Sequence, residues 1–496
     1  MKMHLTAILL IAMIAQLASC GGDAPAADTT AALTAGGDTT TAAEISTEYQ
    51  APGVKYDGAK VTIAAHDYES AWKINNYHLG LEEDNGDFIN DGIVKAKRQT
   101  EEELGVEIEV LSLDVNARSD PSLLVNHILA GDDVWQFGIL RTAALSKMLA
   151  TPSMVVDLNT IDTMDLSHTW WDQNSREEYN LFGKQYTVSG DICFNSLGAP
   201  IVTFFNKSII TDLKLEDPYQ LVYDGKWTLD KMIEMAEDAS NDLNGDGQVS
   251  FEDRFGYAGE QSSILYTLNG AGVRYGEKQK DGTVKMTVNS ERTVNVLDKM
   301  QAFWNTKTVC VMDGSEPYKS NFTSVFSDYM IPTFMDNRLL FISNQLLVAL
   351  NLRDMEADFG ILPPAKYDEA QKEYYSCGNR AWSENVIVPA TNMKLDMTGH
   401  VIESLGFYYQ QYVTPAFIDQ TVIGKSIRDE DSVKMIEMVL DNQIYDVTVV
   451  FNWGSLTNQM NGLTLKPDTK FASTWASLES SVLAAMQQTM DELKAE

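Results

Sequence analysis

Asp242, Asn244 and Asp246, followed by Gly247, Gln248, Ser250 and Asp253, place oxygen-bearing groups at alternate positions of one short segment. A hard divalent cation needs this pattern: oxygens converging from every second residue, a glycine at the sixth position to turn the chain, and a carboxylate returning at the twelfth. Gln248 would give its main-chain carbonyl, Ser250 a hydroxyl or a water contact, and Val249 is the apolar residue usual at the eighth position. Asp253 stands where a longer Glu is expected, which makes the last ligand monodentate and the affinity for Ca2+ lower. Only one such loop is present, so a structural ion is expected and not a sensor switch. The alternative is an Asn/Asp/Gly turn that binds nothing.

Other chemistry is sparse. There are six histidines, none in a metal-binding spacing, and no GxSxG, so a nucleophile, base and acid triad has little support. Gly270-Ala-Gly272 through Gly276 lacks the final spacing of a dinucleotide loop and is assigned no cofactor. Carboxylates are abundant, but nothing singles out a glycosidase pair. Trp170-Trp171-Asp172 follows the polar run Asp157 to Asp162; adjacent indoles point apart, so one is expected in the core and the other exposed. Exposed rings beside Asp, Asn, Gln and Arg suit sugar stacking, whereas a core role is the ordinary fate of any one Trp. Cys193, Cys310 and Cys377 are widely spaced, outside any CxxC or Cys/His cluster, and read as buried or free thiols.

The 496-residue chain carries 37 Lys and Arg against 71 Asp and Glu, a formal net charge of -34, which argues against nucleic acid or a basic membrane-docking surface. At the N-terminus, Lys2, an apolar run from Leu5 to Ala15 and Leu17-Ala18-Ser19-Cys20 resemble a bacterial lipoprotein signal, with Cys20 as the lipidated residue. Ordinary secretory cleavage nearby is the alternative. The run is too short for a membrane span. Gly21 to about Ala51 is Gly, Ala, Thr, Asp and Pro, a composition that cannot offset its ordering entropy and is expected to be a tether.

The rest, some 440 residues, exceeds what one core usually organises and favours two lobes. Strand signals at Val61–Asp67, Glu107–Leu113 and Val134–Leu140 alternate with helical ones at Asp91–Leu104 and Leu123–Ala130, which implies an α/β fold with parallel pairing. Thr228 is an N-cap before the stripe Leu229, Met232, Ile233 and Ala236; further stripes run from Val296 to Trp304, Val401 to Tyr409 and Trp475 to Leu493.

Phe204-Phe205-Asn206-Lys207 and Gly225-Lys226-Trp227-Thr228 resemble segments of extracellular solute-binding proteins of family 1, the receptors of bacterial ABC sugar importers. Gly131-Asp-Asp133, Asp217-Pro218-Tyr219, Asp358 to Pro363, Val388 to Thr391 and Arg428 to Ser432 follow in the family's order. Gln136 departs from it where an acidic residue is common, and Pro363 to Lys366 is a looser proline-lysine run. The resemblance implies a two-lobed periplasmic-binding-protein-like fold of class II type with an interlobe cleft. It puts a signal peptide at 1–19, a lipidated tether at 20–57, an N-lobe at 58–198 plus 383–446, and a C-lobe at 199–382 plus 447–496. Crossings are expected near Leu197–Thr203 and Ser383–Val388.

Carried over by resemblance, the cleft receives His66, Asp67, Trp72 and Arg141 from the N-lobe, and Gln261, Tyr266, Asn344, Gln345 and Trp475 from the C-lobe. Trp382 and Trp453 lie near crossings, and Trp171 is the candidate exposed indole. The maltose-type receptors carry a Trp after the strand matched by Leu340–Ile342; this chain has none there, which weighs against maltodextrin. The expected function is a monomeric, lipid-anchored receptor that delivers a sugar or oligosaccharide to an ABC permease and catalyses nothing. A surface glycan-cleaving enzyme and a receptor for a peptide, polyamine or signal are the alternatives.

Overall fold

The computed structural model describes residues 49–66, 83–114, 117, 119–418 and 429–495. The signal segment, Cys20, Asp67, Trp72 and Arg428 lie outside them.

The first sheet begins with β1 (Ala59–His66), which pairs in parallel with β2 (Val106–Leu113) from Ala59 opposite Val106 to His66 opposite Leu113. Helix α1 (Phe88–Leu104) connects them. The Asp87 side chain caps its start by accepting the amides of Ile89 and Asn90, and Gly105, at φ 63°, ends it in a left-handed turn. Its buried face, including Ile89, Ile93, Ala96 and Leu104, joins the core under this sheet. After α2 (Ser122–Ala130), β3 (Phe137–Arg141) adds in parallel to the other side of β1 and leads into α3 (Thr142–Leu149).

The second sheet is assembled from β4 (Ile201–Asn206), β5 (Phe255–Gly259), β6 (Cys310–Met312), β7 (Leu339–Gln345) and β8 (Phe359–Leu362), in the order β8-β4-β7-β5-β6. Strand β5 is parallel to β6 and β7, while β4 runs against β7 and β8. Every residue of β4 and β7 is buried, as expected of strands covered on both faces. Helices α4 (Leu229–Ala239), α5 (Ser263–Gly270) and α6 (Glu291–Trp304) surround this sheet, and Thr228 caps α4 through the amide of Lys231.

The chain returns to the first sheet with β9 (Glu384–Ile387), antiparallel to β3, giving the order β9-β3-β1-β2. The fold is therefore α/β with two lobes. The two crossings touch: the Asn379 amide donates to the Ala199 carbonyl at 2.8 Å, and Pro200 bridges Gly378.

Helix α7 (Leu395–Tyr408) packs on α1, as an N-lobe element should. Helix α8 (Glu430–Asp441), expected in the N-lobe, instead packs on β8 and β4, with Ile436 and Val439 in the core of the second sheet. The extent 383–446 is corrected accordingly. Helix α9 (Val447–Phe451), expected in the C-lobe, lies against α3 of the N-lobe. Helix α10 (Leu456–Asn461) packs on α5, and the long α11 (Phe471–Ala495) reaches α6 and the turn at Pro152–Met154. The C-terminal helices thus span the lobes, and the largest apolar cluster runs through them, joining Leu145 and Trp135 to Val450, Leu456, Leu265 and Val296.

Arg141, the last residue of β3, lies opposite Glu384, the first of β9. Their side chains pair at 3.1 Å with no solvent exposure of either. The guanidinium also donates to the Trp382 carbonyl at 2.6 Å and lies 4.7 Å from the centre of its ring, while Asn195 donates to Glu384 at 3.1 Å. Arg141 and Trp382, expected to meet ligand, are consumed by the crossing. Removing one member of such a pair leaves a buried charge unmatched, at a cost of about 3–5 kcal/mol, whereas replacing both by apolar groups costs far less. Arg141→Met alone should therefore lose that amount in urea denaturation, and Arg141→Met with Glu384→Leu should recover most of it. A stable Arg141→Met protein that no longer binds ligand would return Arg141 to the cleft.

Candidate functional site

The carboxyl ends of parallel strands collect the loops and helix starts that hold ligands in open α/β sheets. Here β3 ends opposite Glu384, while Gln345 at the end of β7 and Glu260 just after β5 meet Asn379, so strand ends from both lobes converge on the crossing segment Gly378–Glu384, where a ligand spanning the lobes would sit.

The inner part of this region is a buried polar network. Asn379 donates to Gln345 at 2.6 Å and approaches Glu260 at 3.4 Å, and Tyr266 donates its hydroxyl to Glu260 at 2.5 Å. Asn344 turns its carbonyl oxygen to the Gln345 amide at 2.8 Å. Tyr266, Asn344 and Gln345 are buried here; Gln345 directly and Tyr266 through Glu260 tie β7 and α5 to Asn379 of the crossing segment. The adjoining cavity, lined by Thr142, Arg380, Glu384 and Tyr445 among others, measures about 40 Å3, too small for any sugar.

Burial pushes the Glu260 carboxyl up to about 6, with the charge of Asp313 adding to the rise and the Tyr266 hydroxyl opposing it. The side chain keeps partial solvent contact while protein atoms surround it. Between its ordinary 4.5 and about 6 the folded chain holds a proton that the unfolded chain has released. Native stability from this group is therefore present below that window and lost as pH rises through it. Glu260→Gln should raise the melting temperature at pH 7.5, with the gain shrinking at pH 4.5. A gain independent of pH would remove Glu260 as its cause.

A larger space opens outward. A cavity of about 540 Å3 lies between α3, carrying Ser146 and Lys147, and the C-terminal helices, carrying Trp453, Ser455, Asn458 and Gln488. That is ligand-sized. Its floor includes Arg380. The backbone strain of this region concentrates on the wall: Asn452, Gly454 and Ser455 have φ of 47°, 59° and 58°, and the first and last are not glycines. The Asn452 side chain holds the bend by accepting the Thr457 amide at 2.9 Å. Trp453 shows the cavity part of an otherwise buried indole, stacked on Phe451 at 5.1 Å with its ring NH donated to Thr489 at 2.9 Å.

Of the residues expected in the cleft, Trp453 lines this cavity. Gln261 is exposed and lines a separate one of about 580 Å3, together with Lys319 and Asn461. His66 is buried at the end of β1. Trp171 is a core residue, its ring NH donated to Glu403 at 3.0 Å, and Trp475 is buried with its NH on Glu479 at 3.0 Å, one turn along α11. Lys147, Arg380, Asn458 and Ser455 were missed. The polar run Gly378-Asn-Arg380 beside Trp382 was the available signal for Arg380; the others depend on tertiary placement alone.

The Asp242–Asp253 loop leaves α4 and is closed by the bridge between Asn241 and Arg254. Asp242 accepts the amides of Gly245 and Gly247, both at 2.7 Å, and these bonds hold its carboxyl below the usual range. Asp246 accepts the Gln248 amide at 2.7 Å, and buried Asp253 accepts that of Ser250 at 2.7 Å. Gly245 and Gly247 both sit at φ 74°, a conformation costly for other residues. The donors suit a hard cation in type and order. In this conformation they are turned to backbone amides, and among the described residues no three His, Cys, Asp or Glu side chains gather to hold a metal. Cys193, Cys310 and Cys377 are buried and unbridged. No described helix is long and apolar enough to cross a membrane.

No family model and no curated relative matches the chain. Solved structures do. An ABC substrate-binding protein of Listeria monocytogenes, in complex with cycloalternan, is 13% identical with a TM-score of 0.56, over 87% of this chain and 100% of its own. The GacH receptor of Streptomyces glaucescens, studied with acarbose, is 13% identical at 0.54 over 88% and 98%. UgpB of Mycobacterium tuberculosis, in complex with glycerophosphocholine, is 14% identical at 0.55 over 80% and 95%. The fold of this chain is that of these two-lobed solute-binding proteins.

Proposed function

We propose that the protein is an extracytoplasmic receptor that binds a sugar or oligosaccharide between its lobes and delivers it to an ABC import permease. The observation that carries this reading is the 540 Å3 cavity walled by α3 on one side and α9 to α11 on the other, with an indole and side-chain amides and hydroxyls facing it. A ligand there contacts α3 of the first lobe and α10, which packs on α5 of the second, so its binding energy favours the form in which these are together. The neighbours in fold include proteins solved with cycloalternan and raffinose. Glycoside hydrolysis needs two carboxyl groups flanking the bond, and the described wall of this cavity has no Asp or Glu, which favours binding over turnover. Cys20 is the proposed lipid anchor, with the following segment as tether.

A ligand of the native state at one hundred times its Kd stabilises by about 2.7 kcal/mol. A thermal-shift screen against oligosaccharides, peptides and polyamines should therefore raise the melting temperature with a saccharide, and Trp453→Ala should weaken that ligand about tenfold. A hit confined to peptides or amines, or release of shortened glycan products, would contradict the reading.

We also propose that the Asp242–Asp253 loop takes one Ca2+ through Asp242, Asn244, Asp246, the Gln248 carbonyl and Asp253, with Ser250 contributing directly or through water. The ion would offset the like charges of the loop and fix the join between α4 and β5. Calorimetric titration of chelator-treated protein should show one site and a higher melting temperature with Ca2+, both absent in Asp242→Ala. No heat and no thermal shift in the wild type would end the assignment.

A further inference from the structure

The described wall of the 540 Å3 cavity carries Lys147 and Arg380 and no acidic side chain, in a chain of net charge -34. Lys147 is matched by Asp120 at 2.7 Å, in an exposed pair. Arg380 is different. It is 92% buried (8% exposed), and among the described residues its side chain meets a neutral amide and tyrosine hydroxyls and forms no ion pair. One terminal nitrogen donates to Asn458 at 2.7 Å, a neutral acceptor, and Nε has no hydrogen-bond partner there.

The carboxylates nearby in the hinge are engaged elsewhere. Glu384 is held by Arg141 and Asn195, and Asp446 accepts the amides of Tyr275 and Thr448 at 2.6 and 2.9 Å. Burial accordingly pushes the Arg380 pKa down, opposed only by the hydroxyls of Tyr275 and Tyr266. Withdrawing a guanidinium from water without a counter-charge is unfavourable, and an anion arriving in the cavity would offset that cost. Its position is also fixed between lobes. The Arg380 carbonyl accepts the Ala143 amide of α3 at 3.0 Å while its side chain reaches α10.

We propose that the solute is an acidic saccharide, and that a uronate carboxylate pairs with Arg380; this rests on the saccharide-receptor reading above. The planar guanidinium fork matches a carboxylate in shape and hydrogen-bond geometry. Among the described wall residues Lys147 is already matched by Asp120 and Arg380 is left without an acidic partner, which suits a monoanion in preference to a phosphate or sulfate ester carrying more charge and more acceptors. The pair would form at the junction of the crossing segment, α3 and α10, so the anionic group and the closure of the cleft are coupled.

The test uses the full chain and calorimetry with oligogalacturonate, oligomannuronate and glucuronate disaccharides, each against the uncharged oligosaccharide of the same linkage and length. At least one acidic ligand should bind at least roughly tenfold tighter than its neutral counterpart, with affinity falling as salt rises. Arg380→Gln should remove most of that preference and Arg380→Lys should keep part of it. If Arg380→Gln fails to fold, the acidic-to-neutral ratio and its salt dependence in the wild type decide the matter. Neutral saccharides binding as tightly as acidic ones would overturn the proposal and leave the receptor reading standing. Failure of every saccharide would overturn both.

Discussion

The Arg141–Glu384 pair joins residues distant in sequence at the place where the two lobes meet. Each charge has been taken entirely out of water, so each depends on the other and on the Trp382 carbonyl and Asn195 amide beside them. The pair fixes the last residue of β3 against the first of β9, and this fixes the start of α3 and the direction of the segment arriving from the second sheet. Thr142 and Ala143, the first residues of α3, donate their amides to the Ser383 and Arg380 carbonyls of that same segment. The wall of the outer cavity is therefore positioned by a buried electrostatic contact a few residues away. A buried ion pair is a weak source of net stability, but a partner-specific one, and here it defines the register of the crossing.

Much of the fold was legible in the sequence because its signals are local. Alternating strand and helix patterns located β1, α1, β2 and α2 closely, and Thr228 marked the start of α4 through the hydroxyl that caps it. What was not legible depended on which distant surface a helix buries. The apolar stripe of α8 fits either sheet, and only packing places Ile436 and Val439 under β8. The same holds for α9, whose Val450 and Phe451 join a cluster shared by both lobes.

The site shows the limit more sharply. Trp171, Trp453 and Trp475 are alike as residue types, yet each of their ring NH groups is satisfied inside the protein, and Trp453 alone among them lines the outer cavity. Arg141 and Arg380 are likewise indistinguishable by type. One has a carboxylate partner and holds the crossing; the other has a neutral amide and lines the cavity. An arginine's role follows from what lies opposite it, and that is a tertiary property.

The structure thus combines a buried polar network at the crossing with an outer cavity lined by α3 and the C-terminal helices. We propose that this cavity receives a saccharide. A crystal structure of the protein with a saccharide that raises its melting temperature tests it most directly. Density for the sugar is expected between α3 and the Trp453–Asn458 wall, with contacts to both lobes and to Arg380. Density confined to one lobe or to the cavity beside Gln261, or a cleaved glycan in place of the intact one, would contradict it.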